Sequence, residues 1–304
     1  MKIAIVGTGA LGGWYAALLA EAGHEVHCVA RSDHAAIQAN GLTIRHLGRE
    51  RVVRVASALP DAAGIGPCDL MVVTIKSTSN HALPGLIRPL LGPTTLVVTL
   101  QNGMGNVEAL AKLLPSERIV AGLCFVCINR LEPALVETTL AGYVRMAAAE
   151  GPVNPSVTKC VEVFAAAGVD CQAEDSLEAV LWKKLCWNIP FNGLSIAAGG
   201  VTTDRILADP TLNERAYLLM KEVQAAALAR GHGFPDLHIK RQFVVTAGMG
   251  AYRPSSLIDF VEGRDVEIEG IWGEPLRRGL SAGVAMPETQ RLIGDIKARL
   301  LSRG

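Results

Sequence analysis

Aromatic residues are scarce in this chain, and neither sign of charge dominates. Only 5% of the 304 residues are aromatic, which is too few for the stacking platforms that bind single-stranded nucleic acid. The 29 basic residues balance the 29 acidic ones, so the sequence does not indicate the basic surface that nucleic acid requires. We expect no nucleic-acid partner and a small molecule as the ligand.

Long apolar runs are also missing. No run reaches the roughly 18 residues of a membrane helix, and no signal-peptide core follows the N-terminus. These absences predict a soluble, cytoplasmic protein without a membrane partner. The sequence leaves open whether the protein is a monomer or a homodimer.

The seven cysteines are scattered through apolar runs and are expected to be buried thiols. Cys124 and Cys127 have a spacing typical of redox or zinc sites, but no second cysteine pair or nearby histidine pair completes a metal site. Their segment resembles a strand, in which residues three apart point to opposite faces. We therefore expect no metal.

The chain opens with a motif typical of dinucleotide-binding folds. Ile3 to Val6 form an apolar strand, and residues 10–22 suit a helix. A glycine-rich turn joins them, so that backbone N–H groups at the helix N-terminus face a pyrophosphate. The residues of this turn are Gly7, Thr8, Gly9, Ala10, Leu11 and Gly12.

The residues after the second strand, residues 25–30, indicate which cofactor binds. NAD sites usually place an acidic residue there, whereas this chain has Arg31 and Ser32, a cation and a hydroxyl that suit a 2′-phosphate. NADP(H) is therefore favoured over NAD(H). The alternative is that Arg31 is an ordinary exposed loop charge.

Polar residues follow two further apolar strands. The strand of residues 69–75 ends at Lys76, and the strand of residues 96–100 ends shortly before Asn102. Ligands of open parallel sheets bind beyond the carboxyl ends of the strands, so both residues are candidates for the site. Asn102 precedes Gly103, and simple turn chemistry is the alternative explanation for it.

The second half of the sequence has helical periodicity. Lys184, Asn188 and Asn192 are spaced by four residues and would line one stripe of a helix, roughly 12 Å long. Such a stripe suits a small polar ligand, and a solvated helix face is the alternative. Pro190 removes a backbone donor and predicts a kink that makes the placement of Asn192 less secure than that of Asn188.

These motifs, in their order and spacing, resemble those of ketopantoate reductases (2-dehydropantoate 2-reductases) along essentially the whole chain. The shared elements are Gly7-x-Gly9-x-x-Gly12, Arg31, Lys76, Gln101-Asn102-Gly103-Met104-Gly105, Trp182-x-Lys184-Leu185-x-x-Asn188-x-x-x-Asn192, and Ser255-Ser256 followed by Glu267-Ile268-Glu269-Gly270. The resemblance implies NADPH-dependent reduction of a branched 2-oxo acid, foremost 2-dehydropantoate to pantoate in pantothenate biosynthesis.

The same resemblance implies an α/β protein with two domains: an NADP-binding, Rossmann-type doubly wound sheet over residues 1–172 and an all-helical substrate-binding and catalytic domain over residues 173–304. Lys184 is then the proton donor, and Glu267 is a second catalytic residue, with Glu269 as its competitor. The implied substrate-binding residues are Asn102, Asn188, Asn192 and Ser256. The implied cofactor-binding residues are Gly7, Thr8, Gly9, Ala10, Leu11, Gly12, Arg31, Lys76, Asn102 and Glu267.

Other functions remain open at this point. The substrate is ketopantoate or another branched 2-oxo acid. A related dehydrogenase for a hydroxy acid or an imino acid would keep the glycine-rich turn but need different polar residues on the helix. A non-enzymatic NADP(H)-binding regulator would have no use for a buried lysine.

Overall fold

The computed structural model describes residues 1–303, which form two compact units. The first contains residues 1–101 and 106–177, and the second contains residues 102–105 together with the chain from Glu178 onward. The chain thus leaves the first unit for four residues and returns to it at Asn106. The border expected between residues 172 and 173 lies inside the last strand of the first unit, Cys171–Ala173.

The first unit contains a ten-stranded sheet. Its strands run in the spatial order β4-β3-β9-β8-β7-β6-β1-β2-β5, and β10 pairs with β9. Most neighbours are parallel, whereas β3 with β4 and β8 with β9 are antiparallel. The strands are β1 Lys2–Val6, β2 Glu25–Val29, β3 Leu42–His46, β4 Arg49–Val53, β5 Ser57–Leu59, β6 Leu70–Val73, β7 Leu96–Thr99, β8 Ile119–Glu132, β9 Leu135–Ala148 and β10 Cys171–Ala173.

Strand β1 shows that this sheet is covered on both faces. Its alternate residues Ile3 and Ile5 lie in one buried cluster, and Ala4 and Val6 lie in another. Successive side chains of a strand point to opposite faces, so each cluster packs one side of the sheet. The continuous apolar pattern therefore comes from burial on both faces, as in other parallel sheets. The predicted α/β fold with a doubly wound sheet is confirmed.

Strands β3 to β5 were not predicted, and for β4 the composition explains why. Strand β4 lies at the edge of the sheet, and of its residues only Val53 is buried. The other four are Arg49, Glu50, Arg51 and Val52, all exposed, so no apolar alternation marks the strand. Charged residues suit an edge strand because they discourage pairing with another chain.

One helix of the first unit follows its predicted range closely. The helix predicted over residues 10–22 is present as α1 Ala10–Glu21, and a second long helix is α5 Pro155–Ala166. The others are α2 His34–Asn40, α3 Leu83–Ile87 and α4 Asn106–Ala111, with short 3₁₀ helices at Ser77–Ala82, Arg88–Leu90 and Ser116–Arg118.

The second unit is built from helices, as predicted. Its core surrounds Trp182, Phe191 and Trp272, which are fully buried. Among the described residues, no helix is both long and apolar enough to cross a membrane. The helices are α6 Leu177–Ala197, whose first residue belongs to the first unit, α7 Thr203–Ala208, α8 Pro210–Ala229, α9 Asp236–Gly248, α10 Ser255–Val261, a π-helix at Glu269–Gly273, α11 Glu274–Ser281 and α12 Pro287–Leu301.

Candidate active site

The glycine-rich turn after β1 has the shape that a pyrophosphate requires. Gly7 has a φ of +99°, a conformation that glycine adopts without steric cost. The N–H groups of Gly7 and Thr8 both donate to the carbonyl of Val29 at the end of β2, at 3.0 and 3.2 Å. A Cβ atom on Gly9 would meet no atom of the protein within 4 Å. The space beside the Cα atom of Gly9 is therefore open to a ligand.

Gly12 allows close packing of the protein chain, whereas Gly9 leaves space for a ligand. A Cβ atom there would overlap the carbonyl oxygen of Gly7 and lie 2.6 Å from Oγ1 of Thr74. The Thr74 hydroxyl itself donates to the Gly7 carbonyl at 2.6 Å, so the residue that follows strand β6 fixes the shape of the turn. Helix α1 begins here with Ala10 and Leu11, and no side chain caps its N-terminus because the N-cap residue is Gly9. This arrangement fits a dinucleotide, because the helix N-terminus attracts phosphate.

The turn after β2 contains a charge pair that was not predicted. Arg31 and Ser32 are exposed, but the next residue, Asp33, is buried. The Nη1 atom of Arg130 donates to the two carboxylate oxygens of Asp33 at 2.8 and 3.0 Å, and the hydroxyl of Ser32 donates to one of them at 2.6 Å. The acid after Arg31 is visible in the sequence, but its partner lies 97 positions away, which no local pattern reveals.

The ends of strands β6 and β7 are joined by Gln101. Its amide nitrogen donates to the carbonyl of Ile75 at 3.0 Å and to Oδ1 of Asn80 at 2.7 Å, and its amide oxygen accepts from Thr99. Lys76 is partly buried and begins the 3₁₀ helix that carries Asn80. Gln101 thus organises the strand ends where ligands of such sheets bind. The sequence motif includes Gln101, but the side chain was not assigned a role.

In the second unit, helix α6 carries the predicted polar stripe. Lys184 is partly buried, and Asn188 and Asn192 are only 9% and 2% exposed. A solvated helix face would leave these carboxamides in water, so their burial argues against that alternative. Buried carboxamides need hydrogen-bond partners, and they can both donate and accept.

Pro190 does not end α6, which continues to Ala197. The indole N–H of Trp272 donates to the carbonyl of Ile189, the residue before the proline, at 2.9 Å, so the helix is held from outside at this point. Gly193 makes room for this indole, because a Cβ atom there would lie 2.9 Å from its Nε1 atom. Asn192 therefore stays on the helix and in the stripe.

The ammonium group of Lys184 is held by the short loop of residues 102–105. Its Nζ atom donates to Oδ1 of Asn102 at 2.8 Å. The loop is fixed in turn by the π-helix Glu269–Gly273, because the N–H of Met104 donates to the carbonyl of Gly270 at 2.8 Å. Gly103 has a φ of +81°, and a Cβ atom on it would overlap the backbone of Gly270. The conformation of Gly103 thus allows the loop that places Asn102 on the lysine, and the role of Asn102 in binding a ligand stays a prediction.

Asn192 and Ser256 also lie together. The Oδ1 atom of Asn192 accepts the backbone N–H of Ser256 at 2.9 Å, where α10 begins. Ser256 is 2% exposed. One end of the Asn192 carboxamide therefore fixes the start of α10, a role that the spacing alone did not indicate.

Glu267 and Glu269 are the two candidates for the second catalytic residue, and their environments differ. Glu267 is 6% exposed and precedes the π-helix, where its carbonyl accepts the N–H of Ile271 at 3.1 Å. The side chain of Glu269 is 69% exposed and forms an ion pair with Arg277 at 2.8 Å. These positions favour Glu267 as the site residue and give Glu269 an ordinary surface role.

The start of α6 is anchored by Glu178, which the sequence did not single out. The indole of Trp182 donates to it at 3.1 Å, and Arg230 forms an ion pair with it. Burial acts to raise the pKa of Glu178, but the hydrogen bonds from Arg230 and Trp182 outweigh it and hold the pKa below its usual value. This anchor fixes the helix that carries Lys184.

Four of the seven cysteines are poor candidates for a nucleophile. Six of the seven are buried, as expected, and Cys127 is intermediate. Burial raises the pKa of Cys28, Cys160, Cys171 and Cys186 to about 12. These four thiols stay protonated at neutral pH, which makes them poor nucleophiles.

Two family models match the chain. The one described as Ketopantoate reductase PanE/ApbA matches residues 3–151, and the one described as Ketopantoate reductase PanE/ApbA C terminal matches residues 176–299. The chain belongs to the ketopantoate reductase family. The resemblance stated from the motifs is confirmed.

Individual ketopantoate reductases match over the whole length. The 2-dehydropantoate 2-reductase of Nostoc sp. is 36% identical over 301 residues, which cover 97% of this chain and 94% of the relative. The crystal structure of 2-dehydropantoate 2-reductase from Geobacter metallireducens GS-15 is similar with a TM-score of 0.94 and 38% identity, covering 98% of this chain and 99% of that one. The corresponding structure from Methylococcus capsulatus has a TM-score of 0.91 and 31% identity, covering 100% and 98%.

Proposed function

We propose that this protein reduces 2-dehydropantoate to pantoate with NADPH, a step of pantothenate biosynthesis. Whole-length relatives named 2-dehydropantoate 2-reductase support the reaction. The observation that carries it within the chain is the 2.8 Å hydrogen bond that holds the Lys184 ammonium on Asn102. A regulator that only bound the cofactor would have no use for this held ammonium.

Lys184 is proposed as the proton donor. Reduction of a 2-oxo acid develops negative charge on the carbonyl oxygen, and an ammonium group both stabilises that charge and supplies the proton. The bound nicotinamide supplies the hydride to the carbonyl carbon. Asn102 orients the Nζ atom through its Oδ1 atom, so the donor does not have to be ordered at the moment of reaction.

Asn188, Asn192 and Ser256 are proposed to hold the substrate. Carboxamides and a hydroxyl bind a carboxylate and a hydroxyl group without adding another charge beside Lys184. The Oδ1 atom of Asn192 is engaged by the Ser256 backbone, so its NH₂ group is the part suited to a carboxylate. Low exposure of all three side chains supports binding of a ligand out of water.

Glu267 is proposed as the second catalytic residue. It is buried, whereas its competitor Glu269 is exposed and paired with Arg277. A carboxylate in the site balances the charge of the lysine and accepts hydrogen bonds from ligand hydroxyl groups.

NADP(H) is the proposed cofactor. The open space beside Gly9 and the N-terminus of α1 suit the pyrophosphate, and exposed Arg31 suits a 2′-phosphate. Thr8, Ala10, Leu11 and Gly12 complete this turn. Lys76, Asn102 and Glu267 are proposed as further cofactor contacts.

A panel of 2-oxo acids tests the reaction. NADPH oxidation is followed with ketopantoate, with its branched analogues and with imino acids, and NADP⁺ reduction is followed with hydroxy acids, under matched conditions. We expect the highest kcat/KM for ketopantoate. A higher kcat/KM for another branched 2-oxo acid would change the proposed substrate but not the proposed reaction type. Absence of turnover with all of these compounds would refute the proposed enzymatic activity.

A further inference from the structure

The turn that is proposed to bind the 2′-phosphate contains an acidic residue that should repel it. Asp33 follows Arg31 and Ser32 directly and is 3% exposed. A phosphate monoester carries about −1.5 to −2 charges at neutral pH, so a bare carboxylate beside it would cancel much of the attraction of Arg31. Cofactor choice at this turn therefore depends on what neutralises Asp33.

Arg130 on β8 neutralises it. The Nη1 atom lies 2.8 and 3.0 Å from the two carboxylate oxygens of Asp33 and 3.3 Å from Oγ of Ser32. The side chain of Arg130 is 40% exposed, whereas that of Asp33 is 3% exposed. A buried carboxylate in the turn thus pairs with a partly exposed guanidinium, which also contacts Ser32, the residue next to Arg31.

Asp33 is also not presented as an acceptor for ribose hydroxyls. Its carboxylate accepts from Arg130, from the Ser32 hydroxyl at 2.6 Å, and from the N–H of Ala134 at 3.4 Å. A carboxylate engaged by three groups of the protein and nearly closed to solvent does not play the role of the acid in NAD sites. The pair removes both the charge and the acceptor from the turn.

We propose that Arg130 is a positioning residue for cofactor selectivity, which acts by neutralising Asp33 and so leaves Arg31 as the net positive group for a 2′-phosphate. This inference rests on the proposed use of NADP(H). It assigns a role to a strand residue that lies outside the glycine-rich turn and the Arg31 motif.

The test uses two fragments that differ only in the phosphate, 2′,5′-ADP and 5′-AMP, with binding to the full chain measured by calorimetry. For Arg130→Gln we expect the Kd of 2′,5′-ADP to rise by about tenfold and that of 5′-AMP to change little, because only the phosphate senses the unneutralised carboxylate. Arg51→Gln is the matched control. Arg51 is also 40% exposed and pairs with an acid, Glu21, on the same unit, and we expect no change in either Kd.

Two further variants keep the test decisive if Arg130→Gln fails to fold. The near-isosteric Asp33→Asn leaves Arg130 uncompensated, so it should tighten 2′,5′-ADP binding and leave 5′-AMP binding unchanged. The double variant Arg130→Gln with Asp33→Asn should return the preference for 2′,5′-ADP to about the wild-type level, because Arg130 acts through Asp33. Weaker 2′,5′-ADP binding in Asp33→Asn, or a double variant as impaired as Arg130→Gln, would overturn the inference.

The wild-type chain separates this inference from the proposed function. Equal affinity of the wild type for both fragments would refute NADP(H) selectivity, and the role of Arg130 with it. A wild type that prefers 2′,5′-ADP, combined with an Arg130→Gln variant that keeps the same preference, would overturn the role of Arg130 alone.

Discussion

The hydrogen bond between Lys184 and Asn102 predicts a specific pattern of non-additive rates. Lys184→Met should lower kcat by about 10²- to 10⁴-fold, the usual loss when a general acid is removed. Asn102→Ala removes a 2.8 Å bond from a charged donor. Hydrogen bonds to charged groups contribute roughly 1.5–3 kcal/mol, which corresponds to about 10- to 100-fold in rate.

The double variant tests whether Asn102 acts through Lys184. If Asn102 acts mainly by orienting the Nζ atom, Asn102→Ala should lower kcat by less than about threefold in a chain that already carries Lys184→Met. The assay is steady-state NADPH oxidation with ketopantoate, and thermal unfolding shows that each variant is folded. Two separate effects that multiply in the double variant would refute the proposed dependence of Asn102 on Lys184.

Matched controls lie in the same unit. Lys183 is the exposed neighbour of Lys184, so Lys183→Met should leave kcat unchanged. Asn213 is partly buried, and its amide donates to the carbonyl of Leu207 at 3.0 Å. Asn213→Ala should therefore cost stability similar to Asn102→Ala without the loss of rate.

Three other predictions concern the cofactor turn, the acidic residues and acid stability. Gly9→Ala should keep the melting temperature but raise the Kd of NADPH, whereas Gly12→Ala should lower the melting temperature because its Cβ overlaps backbone. A lower melting temperature for Gly9→Ala and an unchanged one for Gly12→Ala would contradict the proposed roles. Glu267→Gln should lower kcat/KM and Glu269→Gln should not, and equal rates would exclude Glu267 from the site. The folded-state pKa of Glu178 is depressed, so its stabilising contribution should be present above its unfolded pKa and should fall as the pH drops through the folded value. Glu178→Gln should therefore make the free energy of unfolding less dependent on pH in this acidic range. An unchanged pH dependence in the variant would contradict this prediction.

Much of the fold could be predicted because burial imposes regular patterns. Strands β1 and β6 are buried on both faces and show continuous apolar runs, and α1 matches its predicted range to within one residue at each end. Prediction failed where burial is slight, as at β4.

The candidate site was predictable where it depends on local spacing. Lys184, Asn188 and Asn192 share a face of α6 because their spacing matches the helix, and this needs no tertiary information. The roles set by distant residues could not be read in this way. Ser256 meets Asn192 from 64 positions away, and Arg130 meets Asp33 from 97.

The most direct test of the proposed reaction measures products rather than cofactor loss alone. Purified wild-type protein, Lys183→Met and Lys184→Met are incubated with NADPH and ketopantoate, and pantoate and NADP⁺ are quantified over time. We expect equal amounts of both products at equal rates for the wild type and Lys183→Met, and a rate at least about 10²-fold lower for Lys184→Met. Pantoate formation by Lys184→Met at the wild-type rate, or none by the wild type, would contradict the assignment of Lys184 as the proton donor of a ketopantoate reductase.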